Sequence, residues 1–398
     1  MKTIREPVIS IVEVAEKGGG WVYTDLNFAP PEPRSGADET PWRQVAPLPS
    51  AASGLAVTGG GGAGRQLCYE NVTGSVTALS ESAAAVDRLD TRAFTADVDA
   101  PVAAGGSTLA MTAGRGPHIY YLDRGRRPVA LAESDDGRWE CLPCVQGPPA
   151  SAVGRLAATR AGRTRHLYYL DAEGHLIEAS WVNTGGELWS VTDLTSTLDA
   201  PPPGAVSPLA TLGSGSDVRR VYYLDEERSL IELTYVIRPP GRKDPEVRAG
   251  WEVVNLSTRA GAPAATAAGP LTAALVDGSR PHVYYRDDGG QLIEMAWRGT
   301  GWQPGSPTES ADHGTGAPLV AATGALAATL SDHAASCHLF YLDTKRHLIH
   351  LHRVGGEWLS ADLSTDADLP AVARRTPLAA IPAAGPRVYY LSEEDPWR

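Results

Sequence analysis

The chain has 398 residues, of which 42% are hydrophobic and 21% charged, so it can bury a core and is not a disordered tail. Thirty-five Lys and Arg residues against 47 Asp and Glu residues give a net charge of −12. This balance disfavours nucleic acid as the main partner, because a protein that follows a phosphate backbone needs a basic surface. It also disfavours an anionic membrane as partner.

The N-terminus interrupts its apolar residues with charge and proline, and no apolar run of the chain approaches the length of a membrane span. We therefore expect a cytoplasmic protein without a secretion signal. Four cysteines are too few for a disulfide framework in a chain of this length. Cys141 and Cys144 form a lone CxxC pair, which lacks the two further ligands of a zinc site.

In chain order, the first predicted elements are two strands at residues 9–15 and 20–26. One sequence line then recurs seven times. It opens with His, Arg or Gln and continues, in most copies, with an apolar residue, two Tyr, Leu and Asp. The opening positions, as we call them, are Gln66, His118, His166, Arg220, His282, His338 and Arg387, between 48 and 62 residues apart.

Each copy of the line belongs to a unit of four predicted strands. An Ala-rich apolar run precedes the line, a turn rich in Asp and Gly follows it, and a Leu-Ile-Glu line and a strand that starts with Trp complete the unit. Short strands in fours, separated by turn signals, are typical of a β-propeller blade. The Ala-rich strand fits the crowded axis, and no segment shows an amphipathic helix of useful length.

The two ends of the chain complete the ring. Residues 376–398 hold only the first two strands of a unit, and residues 1–26 hold the pattern of the last two. We therefore predict an all-β fold, one seven-bladed β-propeller of four-stranded blades over residues 1–398. Its closing blade is split between residues 1–26 and 376–398, so that N-terminal strands pair with C-terminal strands and leave no open edge.

The lines (Arg/His)-x-Tyr-Tyr-x-Asp and Leu-Ile-Glu, followed by Gly-Trp, resemble those of the fucose-binding fungal lectins (the Aleuria-type family) over nearly the whole chain. The best-known members have six blades, and seven-bladed bacterial lectin propellers have related sites. In the family, an Arg at the opening position and a Glu twelve residues later hydrogen-bond the sugar hydroxyls. An aromatic residue of the next blade packs on the apolar face of the sugar.

The resemblance implies one complete site, formed by Arg220, Glu232 and Trp302. A guanidinium offers fixed donors to neighbouring hydroxyls, a carboxylate accepts from them, and an aromatic face covers the C–H groups of the sugar. A second site pairs Arg387 with Glu13 through ring closure. It lacks the aromatic residue, because the first complete unit has no Trp in its fourth strand.

Two further units keep the Glu and its spacing but have His at the opening position. Their predicted ligand-binding sets are His166, Glu178 and Trp251, and His282, Glu294 and Trp358. Two interpretations stay open: the imidazole hydrogen-bonds a neighbouring blade, or it belongs to a changed ligand set and titrates near neutral pH. For the second, we expect the Glu to raise the imidazole pKa above about 6.5. Binding at Arg220 and Glu232 should then be nearly independent of pH between about 5 and 8.

Three classes of function remain. The first is a lectin-like module that binds fucose or a related sugar or glycan. The second is an enzyme on a lectin-derived propeller, in which His and Glu serve as acid–base groups on another small molecule. The third is a scaffold that binds a protein across its flat face. No catalytic residue can be named, because the sequence has no nucleophile elbow, P-loop, HExxH or dinucleotide motif.

No cofactor and no metal site is expected. The repeated His positions are spread around a ring, and one ion cannot bridge distant blades with bonds of about 2 Å. The local group of His347, His350 and His352 offers at most two ligands on one strand face. The repeated Asp of the Tyr-Tyr line is interpreted as a turn residue. The sequence does not define the oligomeric state.

Overall fold

The computed structural model describes thirteen segments of the chain, residues 8–29, 43–58, 65–81, 89–112, 117–134, 137–143, 145–182, 189–214, 218–238, 248–330, 336–374, 376–382 and 385–394. Cys144 and the outer residues of the predicted closing blade, 1–7 and 395–398, lie outside them. The first strands are β1 (Val8–Lys17), β2 (Gly20–Asp25), and a short ribbon of β3 (Phe28–Ala29) and β4 (Arg43–Gln44).

Six complete blades follow, each written here from its innermost to its outermost strand. Blade 1 has β5 (Leu55–Thr58), β6 (Gln66–Glu70), β7 (Val76–Glu81) and β8 (Leu89–Ala93). Blade 2 has β9 (Ala110–Thr112), β10 (His118–Leu122), β11 (Pro128–Glu133) and β12 (Trp139–Cys141). Blade 3 has β13 (Leu156–Ala161), β14 (Thr164–Leu170), β15 (Leu176–Val182) and β16 (Trp189–Asp193).

The second half of the ring repeats the pattern. Blade 4 has β17 (Leu209–Ser214), β18 (Val218–Leu224), β19 (Leu230–Arg238) and β20 (Arg248–Asn255). Blade 5 has β21 (Leu271–Val276), β22 (Arg280–Arg286), β23 (Leu292–Trp297) and β24 (Trp302–Gly305). Blade 6 has β25 (Leu326–Leu330), β26 (Cys337–Leu342), β27 (Leu348–Val354) and β28 (Glu357–Asp362).

The closing blade joins the two ends of the chain. Its strands run in the order β29 (Ala379–Ile381), β30 (Arg387–Glu394), β1, β2, and all neighbours are antiparallel. The β1–β30 register extends from Val8 opposite Glu394 to Ala15 opposite Arg387. The predicted all-β propeller of seven four-stranded blades, closed by N- and C-terminal strands, is thereby confirmed within the described segments.

The innermost strands form a continuous ring around the axis. Each of β5, β9, β13, β17, β21, β25 and β29 contacts the next, and β29 contacts β5. Small side chains are required where these strands approach each other. At Gly213 of β17, for example, a Cβ atom would overlap the Arg160 carbonyl of β13. The Ala-rich composition of the first strands therefore follows from their place at the axis.

The core consists of seven clusters, one at each blade interface. Alternation along the second strand divides its side chains between two neighbours. In blade 4, Val221 and Tyr223 pack against blade 3, whereas Tyr222 and Leu224 pack against blade 5. The opening position shares the parity of Tyr222, so it faces the following blade.

The second Tyr of each line donates its hydroxyl to a Pro carbonyl in the linker that enters the same blade. The O···O distances lie between 2.6 and 3.0 Å. The seven pairs are Tyr69–Pro47, Tyr121–Pro101, Tyr169–Pro148, Tyr223–Pro201, Tyr285–Pro263, Tyr341–Pro318 and Tyr390–Pro370. A buried hydroxyl and a linker carbonyl thus satisfy each other at every blade.

Short helices follow five of the fourth strands, where the sequence predicted only strand and turn. They are α1 (Phe94–Asp97), α2 (Leu194–Leu198), α3 (Leu256–Ala260), α4 (Pro307–Gly314) and α5 (Leu363–Asp366). Asp193, Asn255 and Asp362 cap three of them by accepting a backbone N–H three residues on. None of the helices in the described segments is both long and apolar enough to cross a membrane.

The repeated Asp of the Tyr-Tyr line is a turn residue, as predicted. Asp171, Asp225 and Asp287 each accept the backbone N–H of the residue four positions on, at 2.7 to 2.8 Å. These turns end the second strands, at the opposite face of the ring from the opening positions. The Asp side chains are therefore occupied in shaping the turn.

We predict that the ring depends on both chain ends. Deleting residues 1–26 removes two strands from the closing blade and leaves β30 with a free edge. The melting temperature should fall by about 10 °C or more, or the protein should oligomerise. Scanning calorimetry and light scattering measure both effects. Deletion of residues 1–7 alone leaves β1 intact and is the control, and a monomeric 27–398 fragment with the melting temperature of the full chain would contradict the closure.

Candidate functional site

The candidate pockets lie between neighbouring blades, beside the opening positions. At each interface one blade contributes its opening residue, the residue two positions after it, which is Tyr in five of the seven blades, and the residue twelve positions after it. In blade 4, Tyr222 lies directly opposite Glu232 on the paired strands. The following blade contributes the position before its own opening residue, called here the preceding position, and, in every blade except blade 1, a Trp of its fourth strand.

The interface of blades 4 and 5 brings together the complete predicted set. Arg220 Nε lies 3.2 Å from Glu232 Oε1, and the Tyr222 hydroxyl donates to the same oxygen at 2.9 Å. Trp302 of blade 5 packs edge-on against Tyr222, with 6.4 Å between ring centroids. The Arg220 side chain is 22% exposed and the Glu232 side chain 7%. A guanidinium at the surface thus lies over a buried carboxylate, with an indole beside it.

Burial raises the pKa of Glu232 above its ordinary value. The charge of Arg220 and hydrogen bonds from Tyr222, Trp302 and Thr234 oppose the shift without cancelling it. The expectation that this pair contributes no pH dependence of binding is therefore weakened, because a carboxyl with a raised pKa takes up a proton at higher pH than an exposed one.

The interface of blades 3 and 4 contains a guanidinium that sequence analysis did not assign to it. His166 Nδ1 lies 3.0 Å from Glu178 Oε1, as the spacing suggested. Arg219, at the preceding position of blade 4, donates from Nε at 2.9 Å and from Nη2 at 3.4 Å to the two oxygens of Glu178. Its Cζ atom lies 3.7 Å from the ring centroid of Tyr235 and 4.8 Å from that of Trp251. Trp251, the predicted aromatic residue of this pocket, is thus covered by an arginine of the protein itself.

The pKa values of Glu178 and His166 both lie below their ordinary values. Burial raises the pKa of Glu178, but the hydrogen bond from His166 and the charge of Arg219 lower it by more. The pKa of His166 lies below its ordinary value, because burial and Arg219 disfavour the cation more than Glu178 favours it. The expectation of a raised imidazole pKa is therefore wrong for His166, for which desolvation outweighs the neighbouring carboxylate.

The interface of blades 5 and 6 contains the second predicted His–Glu pair. His282 Nδ1 lies 2.8 Å from Glu294 Oε1, and the His282 side chain is only 1% exposed. Arg353 of blade 6 has its Nη1 atom 3.8 Å from the same oxygen and its Cζ atom 5.7 Å from the ring centroid of Trp358. The Tyr284 hydroxyl lies 3.1 Å from Glu294 Oε1. The predicted stacker Trp358 again lies beneath a guanidinium.

The interface of the closing blade and blade 1 pairs Glu13 with two arginines. Arg387 donates from Nη1 to Glu13 Oε1 at 3.1 Å, across the two ends of the chain. Arg65, at the preceding position of blade 1, forms an ion pair with the other oxygen of Glu13. It also donates to the Tyr389 hydroxyl at 3.3 Å. The predicted Arg387–Glu13 pair is present, and the following blade adds a second guanidinium.

The interface of blades 2 and 3 has Ala130 in place of the acid. His118 is buried, and its Nδ1 lies 3.2 Å from the Tyr120 hydroxyl. Burial, with the charges of Arg165 and Arg160, lowers the pKa of His118 to about 3. This imidazole is a neutral structural residue at ordinary pH.

The interface of blade 6 and the closing blade is a stack of rings. His338 Nδ1 lies 2.9 Å from His350 Nε2, and the two rings are parallel within 3°. Trp21 packs edge-on against His350 at 4.9 Å, so it holds the place of the next-blade Trp, which sequence analysis left unassigned here. Burial and His352 lower the pKa of His338 to about 4. No group of three His, Cys, Asp or Glu side chains within the described segments is arranged to hold a metal ion.

The sequence matches no protein-family profile and no curated protein. Solved structures do share the fold. A lectin from Burkholderia pseudomallei aligns with a TM-score of 0.57 and 16% identity over 88% of this chain and 94% of that one. AofleA from Arthrobotrys oligospora aligns with a TM-score of 0.51 and 14% identity over 86% of this chain and 90% of that one. A point mutant of the Aleuria aurantia lectin, in complex with Fucα1-6GlcNAc, aligns with a TM-score of 0.50 and 16% identity over 78% of this chain and 94% of that one.

We predict that His118 makes the fold sensitive to acid. Its pKa of about 3 in the folded state lies below the ordinary 6.5, so only the unfolded chain takes up this proton as the pH falls from about 6.5 towards 3. The free energy of unfolding should therefore fall by about 1.4 kcal/mol per pH unit from this residue alone. His118→Gln should reduce the slope by that amount in urea titrations between pH 6.5 and 4.5. An unchanged slope would contradict the assignment.

Proposed function

We propose that the protein is a carbohydrate-binding propeller that holds a sugar at the interface of blades 4 and 5. The observation that carries the proposal is the Arg220–Glu232 pair, with Trp302 of the next blade beside it. The guanidinium presents donors in a plane, the carboxylate accepts from hydroxyls, and the indole offers an apolar contact. Neutral polyols with an apolar face fit this combination.

Four interfaces have a Glu twelve residues after the opening position. The interface of blades 4 and 5 differs from the other three in which blade supplies the arginines near that Glu. Glu13, Glu178 and Glu294 each have a guanidinium of the following blade within 4 Å. Among the described residues, the guanidinium within that distance of Glu232 is Arg220 of its own blade. The preceding position of blade 5 is Pro281, which has no polar group to reach Glu232. We infer that the other three carboxylates are engaged within the protein.

The sugar we propose is fucose or a close relative. The sequence lines resemble those of the fucose-binding fungal lectins, and one solved structure with this fold is a complex with Fucα1-6GlcNAc. The residue types at Arg220 and Glu232 match the family pattern at its spacing of twelve. Support for the sugar class thus comes from the motif and from the neighbour's ligand together.

Binding is favoured over catalysis by the burial of the His–Glu pairs. An acid–base residue must reach its substrate. His166 and His282 have side chains that are 3% and 1% exposed, and their Glu partners are also buried. Arg220, with a side chain that is 22% exposed, presents a charged group to solvent beside Glu232, which suits a binding site.

We predict that Arg220 carries the affinity. Arg220→Ala should weaken binding of α-methyl-L-fucoside about tenfold to a hundredfold, the usual effect of losing a charged hydrogen-bond donor. Arg220→Lys should be nearly as weak, because an ammonium cannot reproduce two parallel donors. Titration calorimetry measures both. The control is Arg228→Ala in the same blade, since Arg228 is exposed and pairs with Asp288 at the turn. Equal affinity of wild type and Arg220→Ala would remove this pocket from consideration.

We also predict a pH dependence from Glu232. Its pKa is raised by burial, and a protonated carboxyl loses acceptor capacity and its attraction for Arg220. Affinity should therefore be constant at high pH and fall as the pH drops through the raised pKa. Glu232→Gln should bind weakly at all pH values without this transition. A wild-type affinity that rises on acidification would contradict the role of the carboxylate.

A further inference from the structure

Arg219 makes the contacts that a sugar would make in the neighbouring pocket. Its two nitrogens donate to the two oxygens of Glu178, at 2.9 and 3.4 Å. Its Cζ atom lies over the rings of Tyr235 and Trp251, at 3.7 and 4.8 Å from their centroids. The Arg219 side chain is 13% exposed, so it fills the space between carboxylate and indole. One residue thus supplies both the polar and the apolar part of a ligand.

Strand alternation explains why this residue reaches the pocket. Arg219 has the parity of Val221 and Tyr223, which pack on blade 3, while Arg220 has the parity of Tyr222, which packs on blade 5. Two consecutive arginines therefore serve two different interfaces. The Glu178 carboxylate favours the guanidinium further, and the pKa of Arg219 is raised although burial lowers it, because Glu178 outweighs burial.

The other interfaces show which residues of the following blade place an arginine beside the carboxylate. The preceding positions around the ring, from blade 1 to the closing blade, are Arg65, Pro117, Arg165, Arg219, Pro281, Cys337 and Pro386. Where an acid faces Arg at this position, as at Glu13 and Glu178, the two are ion-paired. Where Glu232 faces Pro281, the carboxylate stays with its own-blade Arg220. An arginine at the preceding position is therefore one way in which the following blade closes the pocket from within. Arg353, which lies beside Glu294 although the preceding position is Cys337, is another.

We propose that Arg219 is an internal ligand that keeps a second sugar pocket, formed by His166, Glu178 and Trp251, closed. The inference rests on the proposed function of the Arg220 pocket, because it assigns the same ligand class to its neighbour. It makes Arg219 the residue that determines the number of sugar sites per chain. The vacated pocket should accept either a fucoside or a small guanidinium ion, since both complement a carboxylate beside an aromatic face.

The test is titration calorimetry of α-methyl-L-fucoside on four proteins. Wild type should bind one sugar per chain, Arg219→Ala two, Arg220→Ala none at the same concentrations, and the double variant one. Adding Glu178→Gln to Arg219→Ala should remove the second equivalent. The matched control is Arg165→Ala, at the same position of blade 3, where Ala130 replaces the acid and no new equivalent is expected.

The outcomes separate the two proposals. If wild type binds nothing but the double variant binds one equivalent, the Arg220 pocket is refuted and the Arg219 inference stands. If wild type binds one equivalent and Arg219→Ala, shown to be folded by circular dichroism, also binds one, the inference is overturned. The effect of methylguanidinium on the melting temperature can be measured even if the variants are less stable than wild type. The compound should raise the melting temperature of Arg219→Ala and leave that of Arg165→Ala unchanged. Equal effects on both variants would overturn the inference.

Discussion

The interblade pockets depend on a hydrogen bond that recurs at every blade, from the second Tyr of the line to a Pro carbonyl of the entering linker. The Tyr ring packs against the preceding blade, while its hydroxyl holds the linker of its own blade. One side chain therefore fixes the distance between two blades and the path of the chain between them. Each such bond contributes about 1 kcal/mol, and an unpaired buried hydroxyl would cost more than that. The rigid spacing lets groups from two blades form a pocket.

A second constraint acts on the opposite face of the same strands, where carboxylates are buried between blades. A buried carboxylate requires a cation or several hydrogen bonds, since desolvation favours its neutral form. Glu178 obtains Arg219, His166 and Tyr168, and its pKa is lowered. Glu232 obtains Arg220 and Tyr222, and its pKa is raised. The same residue type in the same place is therefore neutralised to different degrees by what the next blade supplies.

The fold could be predicted from the sequence because its signals repeat. Seven copies of the line, five of them with Tyr-Tyr, their turn residues and the split unit at the chain ends all predict the same ring. An ambiguous copy is therefore resolved by the others. The short helices were missed because four to eight residues are too few to establish an amphipathic period. Asp or Asn before Leu, as at Asp193 and Asn255, was the available signal of a helix N-terminus.

The pairs at the candidate site could be predicted by spacing, since Arg220–Glu232, His166–Glu178 and His282–Glu294 are in contact. The residues of the next blade that contact these pairs could not be predicted from spacing. Arg219 and Arg353 come from different strands of their blades, and a repeat alignment does not show which side chain reaches across an interface. Trp21 was missed because its blade is divided between the chain ends. The parity of the second strand would have assigned Arg219 to blade 3.

The distribution of arginines indicates a balance between cohesion of the ring and binding. A lectin with many equal sites gains avidity, and each open site leaves a carboxylate and donors that water or ligand must satisfy. An arginine from the next blade satisfies them permanently, and truncating it would leave a buried charge with fewer partners. Where such an arginine is present the carboxylate joins two blades by an ion pair, whereas Glu232, beside a proline, is ion-paired with Arg220 of its own blade. The proposed sugar site is therefore the one at Glu232, to which the neighbouring blade supplies no cation.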